Sequence, residues 1–191
     1  ASRTSNFDGT SIEDLTRAEI EVRGQDTRLV ELLRRHVPGF AGAYLISAGH
    51  QIGIRETRRL VGNYVLTEED IQESRTFDDT VALGGFPIDV HYANRSDNRF
   101  TLLGKSYEIP FRCYFSDSCD NYIVAGRPIS VNPVAYGSTR IQPVCAAGGQ
   151  AAGTAAALAV REKAPVADVG GLGLKSMLRE AGAIVDKPSA G

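Results

Sequence analysis

Residues 143–162 read PVCAAGGQAAGTAAALAVRE, a helix-length run built almost entirely from alanine, glycine and other small residues. Such a helix cannot fill a core with its own side chains, so it must lie close against another backbone or a flat ligand. Gln142 precedes a proline and is biased away from helical dihedrals, whereas Pro143 suits the first helical position. The backbone N–H groups of Val144, Cys145 and Ala146 are then expected to be free and to carry the positive end of the helix dipole. Upstream, the apolar run Tyr122 to Ala125 predicts a short buried strand that stops at Gly126, and a loop of Gly, Pro, Ser and Asn leads into the helix. A strand, a loop and a helix start aimed back at them make an anion-stabilising arrangement.

Composition narrows the setting. A chain of 191 residues with 42% hydrophobic and 23% charged content can bury a core and form one or two domains. Its formal net charge of −2 gives no electrostatic reason to expect nucleic acid or an anionic membrane as partner. The one membrane suspect, Val144 to Val160, is shorter than the roughly 20 residues a span needs and holds Gln150, so no membrane partner is expected. Cys113, Cys119 and Cys145 form an odd set without a C-x-x-C pair, which disfavours a zinc or iron–sulfur framework. Reduced thiols in a cytoplasmic protein are the plain reading. Cys145 stands in the first turn of the expected helix, where the dipole should lower its pKa; a small residue chosen for fit is the alternative.

The rest of the chain reads as mixed α/β. Ser11 with Asp14 marks a helix start, and the apolar spacing carries one kinked helix or two pieces through 11–37, interrupted at Gly24 and ended by Pro38-Gly39. Strands are expected at 43–48 and 51–55, an extended stretch at 64–66, a helix opened by Thr67 with Asp70, and a further helix over 77–83. From Phe86 the pattern turns to period two, with Ile88 and Val90 facing one way and Asp89 and His91 the other. A polar loop at 92–105 and a strand over 107–115, pushed to an edge or bulge by Pro110, follow. A last short helix is expected over 169–182.

Four stretches resemble the FAD-dependent oxidoreductases of the broad glutathione-reductase and fumarate-reductase-like group: GIRETRRLVGNYVLTEEDI (53–71), GGFPIDVH (84–91), YEIPFRC (107–113), and NYIVAGRPIS with STRIQPVCAAGGQAAGTAAALA (within 121–159). The last is the most specific. The resemblance implies a segment that contacts FAD, with the small-residue helix aimed at the pyrimidine side of the flavin, where the reduced ring is negative. It also implies a strand, a G-x-G-x-x-G turn and a helix for the pyrophosphate, and no such unit is visible; Gly170-Gly171-Leu172-Gly173 follows no convincing strand. The expectation is therefore the carboxy-terminal part of a two-domain flavoprotein that lacks its amino-terminal FAD-binding half. Residues 1–39 would be a helical segment, 40–118 a substrate-side antiparallel sheet region, and 119–191 the return into the FAD domain.

Several residues are candidates for chemistry. His91 shares a strand face with Asp89, and an acid/base group beside a carboxylate suits proton transfer with a substrate; a hydrogen-bonded structural histidine is the competing reading. Arg55, in a cluster with Arg58 and Arg59 around Glu56, could bind a substrate carboxylate or carbonyl through its guanidinium fork, or belong to a solvated face. By resemblance, Gly126, Arg127, Ser138, Arg140, Pro143, Val144 and Cys145 form the flavin cradle, with the Val144 and Cys145 N–H groups as donors. His50 and His36 are weaker. Gly149 and Gly153 read as close helix packing rather than a ligand motif.

The function expected is hydride transfer between a small organic substrate and flavin. A non-catalytic binding or assembly module that kept the flavin fold is the alternative, separable by whether any donor reduces bound flavin. Apolar surface left uncovered on the chain would favour self-association.

Overall fold

The computed structural model of the protein describes residues 3–92 and 98–188, and the chain divides into two compact units, Ala1–Thr57 and Arg58–Gly191. In the first unit, α1 runs unbroken over Ile12–His36. Ser11 caps it by accepting from the Asp14 N–H, and Glu13 and Asp14 face the positive end of its dipole while Arg34, Arg35 and His36 sit at the other. Gly24 does not interrupt it, because one glycine costs only about 1 kcal/mol in a helix of 25 residues. Glu19 accepts from the Ile52 N–H at 2.8 Å, and Arg23 donates to the carbonyls of Gly49 and His50 at 3.1 and 3.2 Å. These ties hold 49–52 against α1 as a loop. The strands expected at 43–48 and 51–55 do not form: among the described residues no strand pairs with them to complete a ladder, and Tyr44, Leu45 and Ile46 remain exposed.

The second unit carries the main core. After the extended Leu66, which bridges to Val131, α2 (Glu68–Glu73) begins with a full capping box between Thr67 and Asp70. Within the helix expected over 77–83 the chain instead enters β1 (Thr80–Gly84), antiparallel to β4 (Tyr107–Pro110) with a register shift at Thr80/Ala82. Every residue of β4 is buried. Its partner is what decides β1: Val81 and Ala82 find more burial in a ladder than a seven-residue helix could supply. Pro110 ends β4, as it cannot donate to the ladder, and Phe111–Cys113 turns as a 3₁₀ helix where a continued strand was expected. The second sheet pairs β2 (Ile88–His91) with β3 (Asn98–Thr101), which falls inside the expected polar loop.

Tyr122 to Ala125 is not a strand; Tyr122 is exposed, and the segment is tied down by the Val124 N–H donating to the Tyr114 carbonyl. In place of a plain loop comes α3 (Pro133–Thr139), capped by Asn132, whose side chain accepts from Val134 and Ala135 N–H at 3.1 and 2.7 Å. Then α4 spans Gln142–Glu162, and 3₁₀ turns at Val166–Leu172 lead into α5 (Leu174–Glu180). One face of α4 (Val144, Gly148, Ala151, Ala155, Leu158) is buried, and the helix packs against β1 and α5. At 21 residues with mean hydropathy 1.2 it is long and apolar enough to cross a membrane by length and composition, which removes the length part of the earlier exclusion. The mixed α/β class stands.

Candidate functional site

Local sequence brings β2 and the α3–α4 turn together. Gly137 of α3 lies so close to β2 that a Cβ there would be 2.8 Å from the Asp89 carbonyl, so only glycine allows the approach. One turn further, on the same face of α3, Arg140 reaches the same residue. Its Nη2 donates to the Asp89 carbonyl at 3.2 Å and to Oδ2 at 3.0 Å. His91 Nε2 lies 3.1 Å from that Oδ2, and Nδ1 lies 2.9 Å from Asn98 Oδ1. His91 and Asn98 are cross-strand partners in the β2–β3 ladder, and Asp89 shares the His91 face two residues away. Side chains of Arg140, His91 and Asp89 are 16, 21 and 22% exposed, so the trio is sheltered yet reachable from solvent. Beside it, Arg99 forms a two-pronged pair with Glu68.

Arg140 also ends α3, and the next residue, Ile141, is the N-cap of α4. Through Arg140 the trio therefore adjoins the amino end of the small-residue helix. There the structure corrects two details. Gln142, expected outside the helix, is its first residue, and Pro143 is the second. Cys145 N–H is not free; it donates to the Ile141 carbonyl at 3.0 Å. The donors that precede the first intrahelical acceptor are those of Gln142 and Val144.

The cradle residues named from sequence divide. Gly126 adopts a left-handed φ of +85°, and the exposed Arg127 is close enough to Cys145 to act on its thiol electrostatically. Ser138 does not line an open cradle: it is fully buried, donating to the Phe86 carbonyl and sharing a 2.7 Å hydrogen bond with Tyr107. Burial pushes the Cys145 thiol above its ordinary value, and Arg127 offsets this only in part, so the expected lowering at a helix start is reversed. A Cβ at Gly149 or Gly153 would meet nothing within 4 Å among the described residues, so the expected close packing is not made there, and both glycines are exposed. Arg55 lies exposed in the first unit, and His50 is exposed there, its carbonyl held by Arg23. Arg59 donates to the Val131 carbonyl at 2.7 Å with its guanidinium over Tyr136, a structural use of that cluster.

Sequence reasoning missed Asn98 and the Arg140–Asp89 pair. The first carries no local signal, since Asn98-Arg99-Phe100-Thr101 holds a single apolar residue and no apolar–polar alternation. The second joins positions 51 apart, which no local pattern announces.

The family model described as FAD dependent oxidoreductase matches residues 2–178. The chain belongs to this family. No curated protein and no solved structure matches it. FAD is the cofactor of FAD dependent oxidoreductases, and the residues present fit part of it. The Gln142 and Val144 N–H groups and the α4 dipole suit an anionic edge, and Gly126, Gly149 and Gly153 put no side chain in a ligand's way. Among the described residues no strand–glycine turn–helix unit for the pyrophosphate is present.

Proposed function

We propose that this chain supplies the proton-handling and anion-stabilising part of a flavoenzyme that moves hydride between a small organic substrate and FAD. The observation that carries the reading is Arg140, which ties Asp89 and His91 to the amino end of α4. FAD, when bound, supplies the hydride-transferring centre. The chain's residues do the rest. Arg140 holds the Asp89 carboxylate, and Asp89 holds the His91 ring through Nε2, leaving the imidazole to give a proton to the substrate or take one from it. Gln142 and Val144 N–H groups favour negative charge beside them. Arg127 contacts the cofactor or substrate, and Arg55 binds a substrate carboxylate or carbonyl. Protein outside these residues holds the pyrophosphate, which makes that FAD-binding half the chain's principal partner.

Titration of FAD fluorescence followed by anaerobic mixing with small organic donors tests this. A donor that reduces bound flavin in the native protein should do so about 10²–10⁴-fold more slowly in His91→Ala, with FAD affinity unchanged. Equal rates in both would remove His91 from the mechanism, and no reduction by any donor would favour a non-catalytic module.

A further inference from the structure

We propose that Nδ1 is the nitrogen through which His91 exchanges its proton, and that Asn98 is the positioning residue occupying Nδ1 until substrate replaces it. The inference rests on the acid/base reading of His91 above. Two of the ring's contacts, those with Asp89 and Asn98, differ in kind. Asp89, held at its carboxylate and its carbonyl by Arg140, presents an acceptor and nothing else, so Nε2 keeps its hydrogen whether the ring is neutral or cationic. Asn98 carries an acceptor and a donor on one amide. Its Oδ1 accepts from Nδ1–H in the cation, and a half-turn of the amide offers N–H to the bare nitrogen of the neutral ring. Asn98 can accompany the loss and gain of this proton; Asp89 cannot.

Exposure points the same way. Asn98 is exposed at the start of β3, while Asp89 is half-buried under α3 through the Gly137 contact. A substrate atom can displace the Asn98 amide without disturbing the sheet, and it cannot displace Asp89 without breaking the Arg140 pair. In the transfer the Nδ1–H bond breaks and a bond from that hydrogen to the substrate atom forms, the N–H electron pair staying on the ring. Nothing is oxidised or reduced in this step, and the reverse transfer restores the imidazolium.

The chain has three histidines, so ¹⁵N-histidine labelling of the full chain gives three rings, with His91 identified by its loss in His91→Gln. The neutral His91 ring should show the Nε2–H tautomer in at least roughly tenfold excess, since one tenfold step needs only about 1.4 kcal/mol of preference. Asn98→Ala should leave that tautomer in place, while Asp89→Ala should abolish the excess. A predominantly Nδ1–H ring in the native chain overturns the proposal, as does an unchanged tautomer ratio in a folded Asp89→Ala. Failure of the acid/base reading is separate: it would show as the Nε2–H tautomer together with flavin reduction that His91→Gln leaves untouched.

Discussion

Arg140 and Asp89 meet twice, the guanidinium Nη2 donating to the carboxylate at 3.0 Å and to the main-chain carbonyl of the same residue at 3.2 Å. The double contact fixes both the side chain and the strand that carries His91. Hydrogen bonds to charged groups contribute about 1.5–3 kcal/mol, roughly 10- to 150-fold in a rate that depends on them. Arg140→Met should therefore slow donor-driven flavin reduction by about that factor while circular dichroism stays unchanged. A wild-type rate in the variant would show that Asp89 holds the ring unaided.

The glycines of α4 make a sharper test. A Cβ at Gly148 would lie 2.7 Å from the buried Tyr114 hydroxyl, whereas one at Gly149 meets nothing within 4 Å. Gly148→Ala should cost about 1–3 kcal/mol by overpacking, and Gly149→Ala should stabilise the chain by about 0.5–1 kcal/mol through helix propensity. Urea midpoints of opposite sign are the expected result. A fall in FAD affinity in the more stable Gly149→Ala would assign the bare face to the cofactor.

Glu108 is a buried carboxylate that accepts from the Phe77 N–H at 2.8 Å and from the Thr80 hydroxyl at 2.5 Å, and it pairs with Lys187 at 3.4 Å. Lys187 also donates to the Ser74 carbonyl at 2.6 Å, stitching the chain's end to the turn before β1. Glu108→Ala leaves the Phe77 N–H unserved, while the Thr80 hydroxyl keeps the Phe77 carbonyl and Lys187 keeps Ser74, and it should cost roughly 1–3 kcal/mol by denaturant unfolding. Lys187→Met, at a more exposed position, should cost less.

Alkali should unfold the protein from a definite pH. Burial pushes the Cys113 thiol up to about 12 from an ordinary 9.0, and it raises the Tyr107 and Tyr114 hydroxyls as well. These groups stay protonated in the fold after the unfolded chain has lost its protons. Their contribution is complete below pH 9 and is lost as pH climbs toward 12, by at most about 1.4 kcal/mol per pH unit for each group. Thiol labelling at pH 7 should reach the exposed Cys119 first and the buried Cys113 only on unfolding.

Tyr44, Leu45 and Ile46 are 77, 50 and 87% exposed in one short stretch. Such adjacent apolar surface should drive association of the isolated chain. Sedimentation at rising concentration should show it, and Ile46→Lys with Leu45→Lys should return the monomer.

What sequence could reveal divides along the range of the forces involved. Caps and prolines act over a few residues, so the Ser11 start, the Thr67–Asp70 capping box and the small-residue helix were legible. Residues 77–83 and 43–48 were misread because a strand exists only with its partner: Tyr107–Pro110 supplies one for Thr80–Gly84, and none of the described residues supplies one for 43–48. Asn132-Pro133 is itself a cap followed by a first-turn proline, and α3 was overlooked beneath the loop composition around it. His91 and Asp89 were found together because period two places them on one face; Arg140 was tied to them only by the fold.

One peptide bond separates the end of α3 from the cap of α4. The guanidinium that steadies the histidine thus stands at the mouth of the helix field that would receive negative charge. On the flavoenzyme reading proposed above, that direct bond between the residue holding Asp89 and the cap of α4 couples the proton's site to the hydride's. Deuterium in the solvent and deuterium on the substrate's donated position should slow one and the same event.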